Sequence, residues 1–167
     1  SEVGLDAARF FFLMYSPNTH MDFDIALAKE RSQKNPVYYV QYAHARLSSI
    51  LRKAKIPAFA KPACRTDRAS AGKQNLKFLK TATELNLIRK LVEYPEILSD
   101  TAKTYEVHRL TRYATELARE FHNFYEKERV ITKDKNLTSA RLALVGATKI
   151  VLANALNLMG IKAPEKM

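Results

Sequence analysis

Apolar residues recur at helical spacing along most of the chain, and the clearest case begins at residue 35. At 100° per residue, Val40, Ala43, Leu47, Ile50, Leu51 and Ala54 fall on one stripe, the signature of a helix that buries one face. Asn35 and Pro36 stand at its start as N-cap and first helical residue, where a side-chain acceptor and a missing N–H are both favoured. The helix is predicted to run to about residue 55, before Pro57. Tyr39, Tyr42, Arg46, Ser49 and Lys53 share one flank of the stripe, and Arg52 lies further round the exposed side. The stretch NPVYYVQYAHARL thus carries more polar and aromatic groups than a buried helix needs. It has the make-up of a surface that meets another molecule.

The same reading predicts helices elsewhere. Residues 4–15 form a short apolar one, with Leu5, Ala8 and Phe12 on a stripe and Phe11 beside it. Phe10, Phe11 and Phe12 in a row exceed the needs of one amphipathic face, which predicts packing against something larger. Ser16, Pro17 and Asn18 form a turn, and Asp22 is the expected cap of a helix through Gln33. Residues 56–75, rich in Pro, Ala and Lys, read as a surface loop. Thr81 and Glu84 form a capping box for a helix to about Glu93, with Leu85, Ile88, Leu91 and Val92 inward. Tyr94–Pro95 is expected to break it, Pro95 opening another helix to about Thr104. From 105 to 128, Val107, Leu110, Ala114, Leu117, Phe121 and Phe124 form a stripe, and His108, Thr111, Thr115, His122 and Tyr125 the adjoining face. Residues 132–136 are a polar loop. The helix expected over 138–159 is apolar nearly all round, which predicts a central buried position, and Gly160 is its C′ stop. No strand or hairpin signal appears. The expected fold is all-α, a helical bundle.

Composition bounds the function. The 167 residues suit one domain plus part of another. Apolar residues make up 47%, enough for a core, so a disordered chain is excluded. Twenty-eight basic against seventeen acidic residues leave a formal charge of +11, which favours a polyanionic partner, nucleic acid before anionic membrane. A single cysteine, Cys64, excludes a disulfide framework and a thiolate metal site. In its KPACR setting it reads as a lowered-pKa thiol or an incidental loop residue, the second being the simpler. No apolar run is expected to reach the roughly 20 residues of a membrane span. The first residues lack a signal peptide's basic start and cleavage site. The absence of an initiator Met reads as a start inside a longer protein. None of the four histidines has a His or Cys at i+3 or i+4, and neither a phosphate-binding glycine loop nor a nucleophile elbow is present. Binding is what remains. Tyrosines can stack on unpaired bases while Lys and Arg hold phosphates, or the same tyrosines can be half-buried core edges with wet hydroxyls.

The segment VGLDAARFFFLMYSPNTHMDFDIALAKERSQKNPVYYVQYAHAR resembles the arginyl-tRNA synthetase family, class I enzymes, just after their catalytic signature loop. RLTRYATELAREFHNFY, SARLALVGATKIVLANALNLMGI and the terminal APEKM are similar to its C-terminal anticodon-binding domain. The resemblance covers nearly the whole chain and is poor only over about 56–80. It implies that residues 1–33 are the end of a connecting region beside the catalytic domain and that 34–167 are the anticodon-binding helical bundle. The HIGH and KMSKS motifs are absent from these residues, so the chain is expected to be an inactive C-terminal part of arginine–tRNA ligase. The parent, a cytoplasmic enzyme expected to be monomeric and free of membranes, would attach arginine to tRNA-Arg with ATP and Mg. Its own catalytic domain would be a partner of this chain, and the surplus phenylalanines would pack there. Family residues that contact the anticodon loop map onto Tyr39, Arg46, Arg52, Tyr125 and Met167; facing and charge add Tyr42, His108 and Lys166. A free-standing basic helical RNA-binding protein and a protein-interaction module are the competing readings.

Overall fold

The computed structural model describes residues 3–54 and 76–167. The expected loop over 56–75 and Cys64 lie outside the described residues. Among the described residues six α-helices follow in order: α1 (Leu5–Leu13), α2 (Ile25–Lys29), α3 (Pro36–Lys53), α4 (Ala82–Thr104), α5 (His108–Lys127) and α6 (Lys135–Leu158), with one 3-10 turn at Leu76–Phe78. Every regular element among the described residues is helical, as the periodicity requires. Helix α4 packs along α5, α3 packs on α5 and α6, and α1 crosses α3 and touches α5. One apolar core runs through all of them, from Phe10 through Val40 and Leu47 to Leu117, Phe121, Val145 and Leu156.

Asn35 shows why α3 begins where it does. Its Oδ1 accepts from the N–H groups of Val37 (3.1 Å) and Tyr38 (3.4 Å), donors with no partner in the first helical turn. Its Nδ2 donates to the carbonyls of Ala28 (3.2 Å) and Glu30 (2.9 Å) at the end of α2. The side chain is buried, so one amide joins the end of one helix to the start of the next. Helix α2 is shorter than expected. Its cap is Asp24, whose Oδ1 accepts from Leu27 N–H at 2.9 Å, whereas Asp22 is exposed and lies 3.6 Å from His20.

The expected break at Pro95 does not occur; α4 runs unbroken from Ala82 to Thr104 with the proline inside it. A proline removes one backbone hydrogen bond and crowds the preceding turn, yet tertiary packing holds the helix on both sides. Tyr94 is buried and its ring stacks on that of Tyr113 at 5.4 Å. The Tyr113 hydroxyl donates to the carbonyl of Lys90 (2.7 Å), in the turn before the proline. Beyond it, Ile97 and Leu98 pack on the core. The inward face of α4 also differs from expectation. Glu84, Leu87 and Tyr94 are its buried residues, while Leu85 and Val92 face water, Val92 with 72% of its surface exposed.

Helix α6 is not buried all round. Leu144, Val145, Leu152 and Leu156 face inward, while Ile150 and Leu158 are exposed. The helix meets its neighbours from one side only, which leaves the other to solvent. It is also, by length and composition, apolar enough to cross a membrane, which corrects the expectation that no run reaches that size; α3, α4 and α5 cover its inward side. The phenylalanine run divides similarly. Phe10 and Phe11 are buried within the chain, and only Phe12 is exposed, stacked on Phe23 at 5.6 Å. Two of the three rings attributed to a missing neighbour are therefore already used.

The end of α6 follows the expected stop. Gly160 has φ +67, the Ile161 N–H donates to Leu156 O (2.9 Å) and the Gly160 N–H to Asn157 O (3.0 Å), the Schellman arrangement. Ile161 and Leu156 are both buried. We expect Gly160→Ala to lower stability by about 1–2 kcal/mol from the left-handed backbone alone. Urea denaturation checks it, and an unchanged midpoint would mean that the cap does not set the tail's direction.

Candidate nucleic-acid interface

Three elements bring the aromatic and cationic residues together. Helix α3 presents Tyr39, Tyr42, Arg46 and Arg52, α5 presents His122 and Tyr125, and the C-terminal tail brings Lys166 and Met167 alongside. Tyr39 lies 4.9 Å from the His122 ring and Tyr42 6.0 Å from it, nearly parallel. Tyr38 stacks on Tyr42 at 6.3 Å. Arg46 donates from Nη2 to the Tyr125 hydroxyl (3.1 Å) and its guanidinium sits 4.8 Å from the centre of that ring. Tyr125 in turn meets the core through Phe121 at 6.0 Å. The helical spacing decides this: positions 39, 42 and 46 on α3 and 122 and 125 on α5 are three or four residues apart, so each set lies on one face, and α3 packs on α5.

Next to this aromatic row is an open cleft lined by Tyr42, Arg46, Ser49, Arg52, Lys166 and Met167. Arg46, Arg52, Lys166 and Met167 are exposed, so two guanidiniums, an ammonium and a thioether stand available beside phenol rings. The acidic residue in the cleft, Glu165, is held by Lys149 at 2.8 Å, and that hydrogen bond lowers its carboxyl below the usual range. Burial raises the Tyr39 phenol above its ordinary value, so it remains a hydrogen-bond donor at neutral pH. Burial likewise lowers His122, leaving a neutral ring whose Nε2 has no partner. Such a face can stack planar bases and neutralise phosphates at the same time.

Seven of the eight expected site residues therefore share one face: Tyr39, Tyr42, Arg46, Arg52, Tyr125, Lys166 and Met167. His108 does not. It begins α5, fourteen residues before His122, or about 21 Å along the helix axis. It lines a separate cleft with Lys90, Glu93, Arg109, Arg112 and Glu116, where carboxylates pair with the cations, as in Lys90–Glu116 at 2.9 Å. The adjoining stripe on α5 correctly gathers His108 and His122, but a stripe says nothing about which of its ends a partner occupies. His122 itself is the residue absent from the expected set. Its position three before Tyr125 was the available signal. No three His, Cys, Asp or Glu side chains converge on a metal-sized site among the described residues.

Residues 40–167 match the family model described as the DALR anticodon binding domain. A bundle of helices with an aromatic and basic face is the class that this fold and this face define, and the chain belongs to the DALR anticodon binding domain family. The chain is 49% identical over 166 residues to the arginine–tRNA ligase of Symbiobacterium thermophilum, covering 99% of this chain and 28% of that protein. It is 52% identical over 166 residues to that of Dehalococcoides mccartyi strain CBDB1, again 28% of its length. The chain thus spans under a third of the curated relatives it matches. Among solved structures, it is similar to the arginyl-tRNA synthetase of Thermus thermophilus, with a TM-score of 0.75 and 32% identity over 98% of this chain and 26% of that one. The putative arginyl-tRNA synthetase of Campylobacter jejuni matches with a TM-score of 0.76 and 29% identity, over 99% of this chain and 34% of that one.

Proposed function

We propose that this chain is the tRNA-binding part of an arginine–tRNA ligase, gripping the anticodon stem and loop of tRNA-Arg. The observation that carries the reading is the convergence of Tyr39, Tyr42, Tyr125, Arg46 and Arg52 on one exposed face of a chain with net charge +11. In this reading the tyrosines and His122 stack on splayed-out bases, the arginines and Lys166 hold phosphates or base edges, and Met167 adds an apolar contact. His108, at the far end of α5, has no part in it. Residues 1–33 form the end of a connecting region and 34–167 the anticodon bundle. ATP and Mg belong to a catalytic domain outside this chain, in a cytoplasmic, monomeric parent enzyme that arginylates tRNA.

The test is binding of this chain to tRNA-Arg, to the same tRNA with its central anticodon base changed, and to an unrelated tRNA. Cognate tRNA should bind most tightly, with affinity falling steeply as salt rises. Equal affinity for all three at moderate salt would defeat the anticodon-reading proposal. Tyr125→Ala should weaken cognate binding by about 1–3 kcal/mol with little change in melting temperature, since Tyr125 is only partly buried, at the edge of the core. A large drop in melting temperature would instead mark Tyr125 as a core residue.

A further inference from the structure

Gln41 and His44 sit in the same helix as the binding residues, yet neither faces the cleft that holds Arg46, Arg52 and Met167. Both are turned to the C-terminal tail. Gln41 Nε2 donates to the carbonyl of Lys162 (2.9 Å) and to Oδ2 of Asp6 (3.0 Å). The same Asp6 oxygen accepts from the Lys162 N–H at 3.3 Å. His44, 2% exposed, places Nδ1 2.8 Å from the carbonyl of Pro164. That carbonyl can only accept, so Nδ1 carries the proton. Proline has no N–H, which makes its carbonyl the one backbone group by which this residue can be held. Ile161, also 2% exposed, anchors the start of the tail in the core.

A terminal segment of this length is ordinarily loose unless tied down. Ordering it at the moment of binding costs backbone entropy for every residue fixed, and a tail already in place avoids that cost. We propose that Gln41 and His44 are positioning residues: they hold residues 162–167 along α3 so that Lys166 and Met167 enter the aromatic and cationic face. This rests on the RNA-binding reading above for its consequence, though the holding itself can be measured without RNA. Asp6 extends the arrangement to α1, because the Gln41 amide bridges that helix and the tail.

The experiment uses the full chain in two arms, with Gln41→Met and His44→Phe, which keep size and remove the hydrogen bonds. Gln41 is only half-buried, so its variant remains informative if the substitution at the buried His44 unfolds the protein. In the first arm, carboxypeptidase digestion without RNA follows release of Met167 by mass spectrometry; each variant loses one direct hydrogen bond to the tail and should release Met167 about fivefold faster. In the second, affinity for tRNA-Arg should fall by a similar factor, and this loss should vanish when Lys166 and Met167 are both already alanine. A merely structural role for Gln41 or His44 would lower affinity equally in both backgrounds. The proposal is overturned if release is unchanged in the folded variants, or if release quickens while affinity stays the same and Tyr125→Ala still weakens binding. Should Tyr125→Ala itself have no effect on binding while release quickens, the RNA-binding reading fails and the holding of the tail stands.

Discussion

Arg141→Ala should destabilise the chain by about 3–5 kcal/mol, the range for removing one partner of a buried ion pair. Arg141 lies in the second turn of α6 and is 5% exposed. Its Nε donates to Glu84 Oε1 at 2.7 Å, its Nη1 to the carbonyl of Arg129 at 2.7 Å, and its Nη2 to Glu128. Glu84 has no exposed surface. It also closes the capping box of α4, its Oε2 accepting from the N–H groups of Lys80 (2.8 Å) and Thr81 (2.9 Å). Removing the guanidinium leaves a buried carboxylate with neutral donors only. Arg141→Met together with Glu84→Gln should recover most of the loss, because the fully buried carboxylate is then neutral and Glu128, the other partner, keeps access to solvent. Urea denaturation of the three proteins decides it, and a loss below 1 kcal/mol in Arg141→Ala would show that water reaches Glu84.

The same site has a pH signature. Burial works to raise the Glu84 carboxyl, but hydrogen bonds from Thr81, Arg141 and Lys80 outweigh it, and the net position is below the ordinary value. The folded state therefore holds this proton less tightly than the unfolded chain, where the group titrates at about 4.3. The stability that Glu84 contributes is complete above that value and is lost as the pH falls through the lower folded one. In the double variant that part of the acid dependence should disappear.

Phe10→Ala should be about as damaging, at about 3–5 kcal/mol for a fully buried phenylalanine. Phe10 has no exposed surface and belongs to the same core as Val37, Val40 and Leu156. Polar contacts fasten α1 as well, with Arg9 donating to the carbonyl of Gly160 and Asp6 accepting from the N–H of Lys162. The loss should therefore appear as a lower midpoint of a single cooperative transition seen by circular dichroism, with the tail freed at the same time. A separate early transition assigned to α1 would mean that residues 1–33 fold independently of the bundle. The outcome bears on function, since α1 touches the tail that carries Met167.

Much of the fold was legible because the signals that announce it are local. Asn35–Pro36, the Thr81–Glu84 box and Gly160 each satisfy backbone groups within a few residues, so their meaning can be read from adjacent positions. The stripes of α3 and α5 were legible for a related reason: the helical period alone puts Val40, Leu47, Leu117 and Phe121 on inward faces. Residues with two local uses were harder. Asp22, the expected cap, is exposed, and Asp24 two residues on takes the Leu27 N–H instead. Pro95 looked like a stop because its local effect is to break a helix. Its retention depends on Tyr113, eighteen residues away and on another helix. Leu85 and Val92 carry the right chemistry for a core and face water because α4 meets α5 along a different stripe.

The candidate site divides along the same line. By itself the sequence determined an all-α chain, the charge that favours a polyanion, and the flank of α3 on which Tyr39, Tyr42 and Arg46 stand together. All three follow from composition and from a period of 3.6 residues. Only the tertiary structure decided that His122 and Tyr125 complete that flank while His108 lies at the other end of α5, and that Met167 returns to Arg52. Only it showed Arg141 held between Glu84 and Glu128, and Gln41 and His44 grasping backbone some 120 residues further on. Such contacts form after the chain has folded back on itself, and nothing in the local spacing of residues encodes which distant groups will then be neighbours.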